Sequence, residues 1–197
     1  MALVSMAALV TGARSGQVVS FPTDTVPALA AIGDRASSIY KLKDRPSHKP
    51  LILMAAQLTD FLSFIDPALE PQTIDKFAQL AEKHWPGALT IILPASELGR
   101  SLNVNMTTIG MRIPADPVAI AILQQTGPLL TTSANLSGAA PIDTTAAIAA
   151  QFPTVLALGE IPDTYDPNIV TGSGQPSTVI EWSNSGWLVR RQGQIAI

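Results

Sequence analysis

The feature that most constrains this chain is a series of short apolar runs, each four to six residues long, alternating with stretches of helical spacing. Val18–Phe21, Leu51–Ala55, Ala88–Leu93, Thr108–Ile113, Leu129–Thr132 and Val155–Leu158 are such runs, and Thr178–Glu181 with Trp187–Val189 reads as a closing pair. Runs this short fit buried strands, because a helix needs roughly ten residues or more to bury a face. Between them, helical spacing is predicted from Asp34 through Leu42, over 57–65 and 72–84, from Asp116 to Gln125 and from Thr144 to Gln151. Leu3, Met6, Ala7 and Val10 fall on one face of a first amphipathic helix. Alternation of this kind predicts an α/β fold, a sheet with flanking helices, and 197 residues suffice for one such domain.

Composition removes several function classes. The apolar share of 47% supports a packed core, so disorder is excluded. Charged residues make up 14%, below the usual quarter, which implies a large core or a surface covered by a partner or ligand. A net charge of −3 argues against a general nucleic-acid-binding surface while allowing a local basic pocket. Without cysteine there is no thiolate nucleophile, and His48 and His84 stand too far apart in sequence to suggest a metal pair. No run approaches the roughly 18 apolar residues of a membrane span, and the N-terminus lacks the basic start of a signal peptide. A cytoplasmic location is therefore expected. The Walker loop, the dinucleotide fingerprint and the nucleophile elbow are all missing from the sequence.

Four clusters remain that carry chemistry. Lys41, Lys43, Arg45, His48 and Lys49 gather cations at a helix end, where Lys43 and Arg45 can face a common anion or merely complement the helix dipole. Pro22-Thr23-Asp24-Thr25 follows the first apolar run, in the loop position where open α/β sheets bind ligands; the same residues also suit a self-capped turn. Thr131-Thr132-Ser133-Ala134-Asn135 follows another run, and Ser133 and Asn135 at i, i+2 can point a hydroxyl and an amide to one side. Arg112 interrupts an apolar run, so its guanidinium needs an internal carboxylate or an anionic ligand. Ser177, Thr178 and Arg191 stand near the C-terminus.

Taken together these segments resemble the YrdC/TsaC family of threonylcarbamoyl-AMP synthases. FPTDTVPAL, KLKDRP, HKPLIL, HWPGALTIIL, GMRIPADPVA, TTSANLSG, PSTVI and RQG occur in the family's order and span nearly the whole chain. The resemblance implies a single catalytic domain over 1–197, without a further C-terminal domain, built as a twisted mixed sheet around a deep, positively charged cavity. It implies that L-threonine, bicarbonate and ATP are joined into threonylcarbamoyl-AMP and pyrophosphate, for tRNA threonylcarbamoyladenosine (t6A) modification by a downstream transferase. Carried over by position, Lys43, Arg45, Ser133 and Asn135 are catalytic and ATP-binding, with Thr108, Arg112 and Arg191 as further ATP contacts. Thr23, Thr131 and Ser177 belong to the threonine site, and Mg²⁺ is held mainly by the ATP phosphates. Two departures stand out. The family often reads Thr-Val-Tyr-Gly-Leu where this chain has Thr25-Val26-Pro27-Ala28-Leu29, and some members place histidine where Met54 stands. The rival expectations are a YciO-like paralogue of other activity and a module that binds double-stranded RNA or tRNA, for which a weak RNA contact would be the trace.

Overall fold

A computed structural model describes residues 2–46, 48–103, 106–183 and 185–197. Among these residues the apolar runs join into one ten-stranded mixed sheet. Its strands are β1 Ala2–Val4, β2 Val19–Phe21, β3 Ala28–Ala31, β4 Ile52–Met54, β5 Leu89–Pro94, β6 Thr108–Arg112, β7 Leu129–Ser133, β8 Leu156–Leu158, β9 Thr178–Ser183 and β10 Gly186–Arg191. In space they run β1-β8-β2-β3-β7-β4-β6-β5-β9-β10. The helices are α1 Met6–Arg14, α2 Ala36–Lys43, α3 Pro71–His84, α4 Glu97–Leu102, α5 Pro117–Thr126 and α6 Thr145–Gln151.

Two apolar layers follow from the period of two in the strands. On one face Leu53, Ile91, Leu93, Ile109, Met111 and Leu130 pack against Phe61, Phe77 and Trp85. The Trp85 indole donates to the Leu89 carbonyl at 2.7 Å and meets Phe77 edge-on, which fixes the end of α3 against the sheet. On the opposite face Val19, Phe21, Ala28, Ala30 and Leu129 are covered by Leu9 and Ala13 of α1 and by Val118, Ile122 and Leu123 of α5. That second cover reaches the middle strands at Leu129 and Met54 but includes none of Ile52, Thr131 and Ser133. Register therefore decides what is left uncovered there: Ala28 lies opposite Ser133, Thr131 opposite Ile52, Ile52 opposite Gly110, and Met54 opposite Arg112.

Capping explains most helix starts. The side chains of Ser5, Asp116 and Thr144 accept from the backbone N–H three residues on, and Pro117 and Pro71 occupy the first helical positions. The first expected helix is shorter than its pattern: Leu3 lies in β1, which pairs parallel with β8, and the Ser5 cap begins the helix after it. Asp34 makes no capping bond, because the chain enters α2 through a 3₁₀ turn at Gly33–Arg35. The predicted helix over 57–65 is a 3₁₀ segment, Leu58–Phe64. Ala28–Ala31 and Glu97–Leu102 were not anticipated; alanine has little strand propensity, and β3 exists because β2 and β7 flank it. No helix of the described residues is long and apolar enough to cross a membrane.

Candidate active site

The uncovered middle of the sheet forms a cavity of about 180 Å³. Its walls combine the hydroxyls of Thr23, Thr131, Ser133 and Ser177 with the side chains of Arg112 and Arg191. Arg45, Met54 and Ala28 also line it. Thr131 and Ser133 reach it from the same face of β7 because they are two residues apart. Thr131 is anchored by donating to the Ile52 carbonyl at 3.0 Å. Thr23 donates to the Val26 carbonyl at 2.7 Å, so the Thr23–Val26 loop is held closed by its own side chain.

Glycine lets other segments press on that loop. Gly172 has φ of 73°, and a Cβ there would fall 2.4 Å from the Thr23 carbonyl oxygen. The next two N–H groups, of Ser173 and Gly174, donate to the carbonyls of Asp24 and Thr25 at 3.0 and 2.8 Å. At the C-terminal side, a Cβ on Gly193 would lie 2.4 Å from the Pro176 carbonyl oxygen, which explains why RQG and PST pack as one unit. Arg191 donates to the Ser177 carbonyl at 3.0 Å and to its hydroxyl at 3.3 Å. Ser177 also shares a hydrogen bond with Thr90 at 2.8 Å.

Arg112 is 4% exposed, and the carboxylate that sequence reasoning required for it is Asp24, at 2.6 Å. Its Nη1 donates to Thr25 at 2.8 Å and its Nε to the Gly87 carbonyl at 3.0 Å. Burial lowers its proton affinity, while Asp24 works in the opposite direction. Arg45 is fixed differently, donating to the carbonyls of Lys49 and Pro50 at 3.2 and 3.1 Å. Arg191, too, is held down by burial and then by the charge of Arg112. Among the described residues, neither Arg45 nor Arg191 pairs with a carboxylate.

Lys43 does not line the cavity. It is 1% exposed, and its ammonium donates to the Ser133 carbonyl, to Thr132 Oγ1 at 3.3 Å and to Asn135 Oδ1 at 3.4 Å. Burial first, and the charge of Arg45 second, push it down to about 8. The predicted alignment of Ser133 with Asn135 is present, the hydroxyl donating to Asn135 Oδ1 at 2.6 Å. The Asn135 amide then closes the following turn by donating to Leu136 and Ala139 carbonyls. So Lys43, Ser133 and Asn135 form one network at the end of β7, and Asp44 in the left-handed region (φ 48°) turns the chain out of α2 toward Arg45.

Thr108 is placed apart. It begins β6 opposite Pro94, four residues before Arg112 on the same face, ~13 Å along the strand. It does not line the cavity, though it shares the sheet face that leads to it. Of two further residues that organise the site, sequence reasoning named Asp24 only as part of the Thr23–Thr25 loop and missed Asn103. Asp24 carried a signal, since Arg112 needed a carboxylate and the Thr23–Thr25 loop offered one. Asn103 carried none: it is buried, and its side chain accepts from the Leu51 N–H at 2.9 Å and donates to the Leu51 carbonyl at 3.0 Å. That pairing aligns the start of β4, hence Ile52 and Met54.

An α/β fold whose strand ends and loops bring guanidinium groups and hydroxyls around one cavity defines a small-molecule site of an anion-handling kind. The family model described as Sua5/YciO/YrdC, telomere recombination, matches residues 12–193, and the chain belongs to that family. It is 31% identical over 185 residues to a threonylcarbamoyl-AMP synthase of Pseudoalteromonas translucida, covering 91% of this chain and 94% of that protein. To a threonylcarbamoyl-AMP synthase of Bacillus subtilis it is 38% identical over 131 residues, 64% of this chain and 36% of that protein. Among solved structures, P. abyssi Sua5 complexed with L-threonine superposes with a TM-score of 0.82 at 26% identity, over 95% of this chain and 54% of that one. The chain thus spans about a third of the Bacillus relative and about half of the P. abyssi protein.

Proposed function

We propose that this chain is a threonylcarbamoyl-AMP synthase, a nucleotidyltransferase that forms threonylcarbamoyl-AMP and pyrophosphate from L-threonine, bicarbonate and ATP in the t6A pathway. The observation that carries it is the composition of the cavity wall: a cluster of hydroxyls around one paired arginine, with two further arginines that have no carboxylate partner among the described residues. Hydroxyls and a compensated guanidinium suit an amino acid, and uncompensated guanidiniums suit phosphates. The named relatives and the threonine-bound P. abyssi structure support the same assignment.

In this reading threonine's carboxylate takes Arg112, which the sequence reading had grouped with ATP, and its polar side chain lies among Thr23, Thr131 and Ser177. The threonine amine adds to bicarbonate to give a carbamate with loss of water. A carbamate oxygen then attacks the α-phosphorus of ATP, the bond to the β-phosphate oxygen breaks, and pyrophosphate leaves. Since the carbamate is already anionic, the protein has little proton chemistry to do. Its work is to hold two anions in line and offset charge that develops on the leaving group. Arg45 and Arg191 do this at the cavity, and Lys43 acts through Ser133 and Asn135 at its rim. Mg²⁺ fits as a companion of ATP: the wall offers hydroxyl and guanidinium groups and the Asp24 carboxylate is engaged by Arg112, so phosphate oxygens hold the ion. When bound there it neutralises phosphate charge.

The test is pyrophosphate release by the purified chain with ATP and Mg²⁺, omitting threonine and bicarbonate in turn. Release that needs both is expected. A folded protein that binds ATP yet releases none under any combination sinks the synthase reading and favours a YciO-like paralogue.

A further inference from the structure

The carboxylate of Asp24 pairs with Arg112 and is not among the residues that line the cavity. A guanidinium carries five N–H groups. In Arg112 three of them go to Asp24, Thr25 and the Gly87 carbonyl, which leaves two without a partner among the described residues on a side chain that faces the cavity. Those two remain good hydrogen-bond donors, while the Asp24 carboxylate at 2.6 Å offsets much of the charge they carry. Arg45 and Arg191 present the opposite combination, since backbone and hydroxyl oxygens hold them while their charge is uncancelled. A zwitterionic amino acid gains from fixed donors and is indifferent to net charge; a phosphate chain gains most from net charge.

We propose that Asp24 is a specificity-determining residue: by offsetting the charge of Arg112 it reserves that side chain for the amino-acid carboxylate and turns phosphate toward Arg45 and Arg191. The proposal rests on reading the cavity as a shared amino-acid and nucleotide site. Without Asp24, Arg112 becomes a third uncompensated cation next to Arg191, and a phosphate can bind in the wrong place. Because Asp24 makes no contact with the cavity, any change in ligand preference on its replacement comes from charge and from the aim of Arg112.

Binding of L-threonine to wild type and Asp24→Asn, with and without inorganic phosphate, tests this. Wild type is expected to bind threonine with an affinity that phosphate leaves unchanged. Asp24→Asn is expected to bind threonine about as well when phosphate is absent, to gain on the order of tenfold in phosphate affinity, and to become phosphate-competitive. Its gain in phosphate affinity should vanish in the Asp24→Asn/Arg112→Gln double variant. A merely structural role would weaken threonine binding without creating phosphate competition, and that result, or an unchanged Asp24→Asn, overturns the proposal. If wild type fails to bind threonine, the synthase reading falls, while the phosphate affinities of wild type, single and double variants still decide what Asp24 does. Should Asp24→Asn not fold, Arg112→Gln is compared with the double variant. Retained Asp24 charge must then weaken phosphate binding about tenfold, and equal affinities overturn the proposal.

Discussion

Lys43 and Arg112 are two cations withdrawn from water, Arg112 in the cavity wall and Lys43 behind the end of β7, and the fold treats them in opposite ways. Arg112 has a carboxylate at 2.6 Å; among the described residues Lys43 has only neutral oxygens, from Ser133, Thr132 and Asn135. The paired cation keeps its charge and acts as a fixed hydrogen-bond donor. The unpaired one is held at about 8, so it still carries its proton at neutral pH and gives it up as the pH rises through about 8 unless something anionic approaches. In the proposed reaction an anion close to the end of β7 would supply what the protein withholds and raise the proton affinity of Lys43 again. One buried cation is therefore completed by the fold, and in the proposed reaction the other would be completed by a ligand.

The largest effect expected is on Asp24→Ala. Removing one partner of a buried pair strands Arg112 and should cost about 3–5 kcal/mol of stability, measured by urea unfolding. Lys43→Met strands no charge, and its cost should stay near 1 kcal/mol or fall below it. Its turnover, by contrast, should drop about a hundredfold or more, as when a charge-stabilising donor is lost. Equal stability losses in the two variants would erase the distinction between the cations.

The pH dependence comes next. Lys43 is held at about 8 in the folded chain against 10.5 when unfolded. Below about 8 both states carry the proton, and the full cost of burying the charge is present. Between 8 and 10.5 the unfolded chain binds the proton that the folded chain has released, so stability rises with pH. Tyr40 and Tyr165, both raised by burial, act the other way above 10. The difference between wild type and Lys43→Met, followed from pH 7 to 9.5, isolates the lysine. Over the same range wild-type phosphate affinity should fall while stability climbs, and two curves rising together would contradict the ligand-completed lysine.

The same contrast marks what the sequence made legible. Strands of branched and aliphatic residues announced themselves, as did Arg112, because an arginine inside an apolar run demands compensation. Ser133 and Asn135 were legible from their spacing. β3 was not: Ala28–Ala31 has no strand signature of its own, and its place comes from ladders supplied by Phe21 and Thr131, far apart in the chain. The departure at Pro27-Ala28 falls at the start of this strand. The Pro27 carbonyl accepts from the Ala134 N–H at 3.0 Å, and Ala28 enters the cavity wall opposite Ser133. Lys43 was expected to face an anion directly. Its burial under the end of β7 depends on the left-handed turn at Asp44, a non-glycine residue with φ of 48° that no spacing rule would select.

The smallest expected effects form the finest comparison, because each cation also leans on one threonine. Arg112 donates to Thr25 at 2.8 Å and Lys43 to Thr132 at 3.3 Å. Replacing either by valine keeps the shape and removes the acceptor, at a cost of about 1 kcal/mol. For Thr25→Val that loss should be the same at pH 7 and 9.5, since Asp24 keeps Arg112 charged throughout. For Thr132→Val it should shrink at the higher pH, because a neutral amine needs the hydroxyl less than an ammonium does. Urea unfolding of both variants at the two pH values measures it. A Thr132→Val cost that stays constant would mean that Lys43 does not lose its proton in this interval, and a Thr25→Val cost that drifts would mean that the Asp24 pair does not hold Arg112 alone.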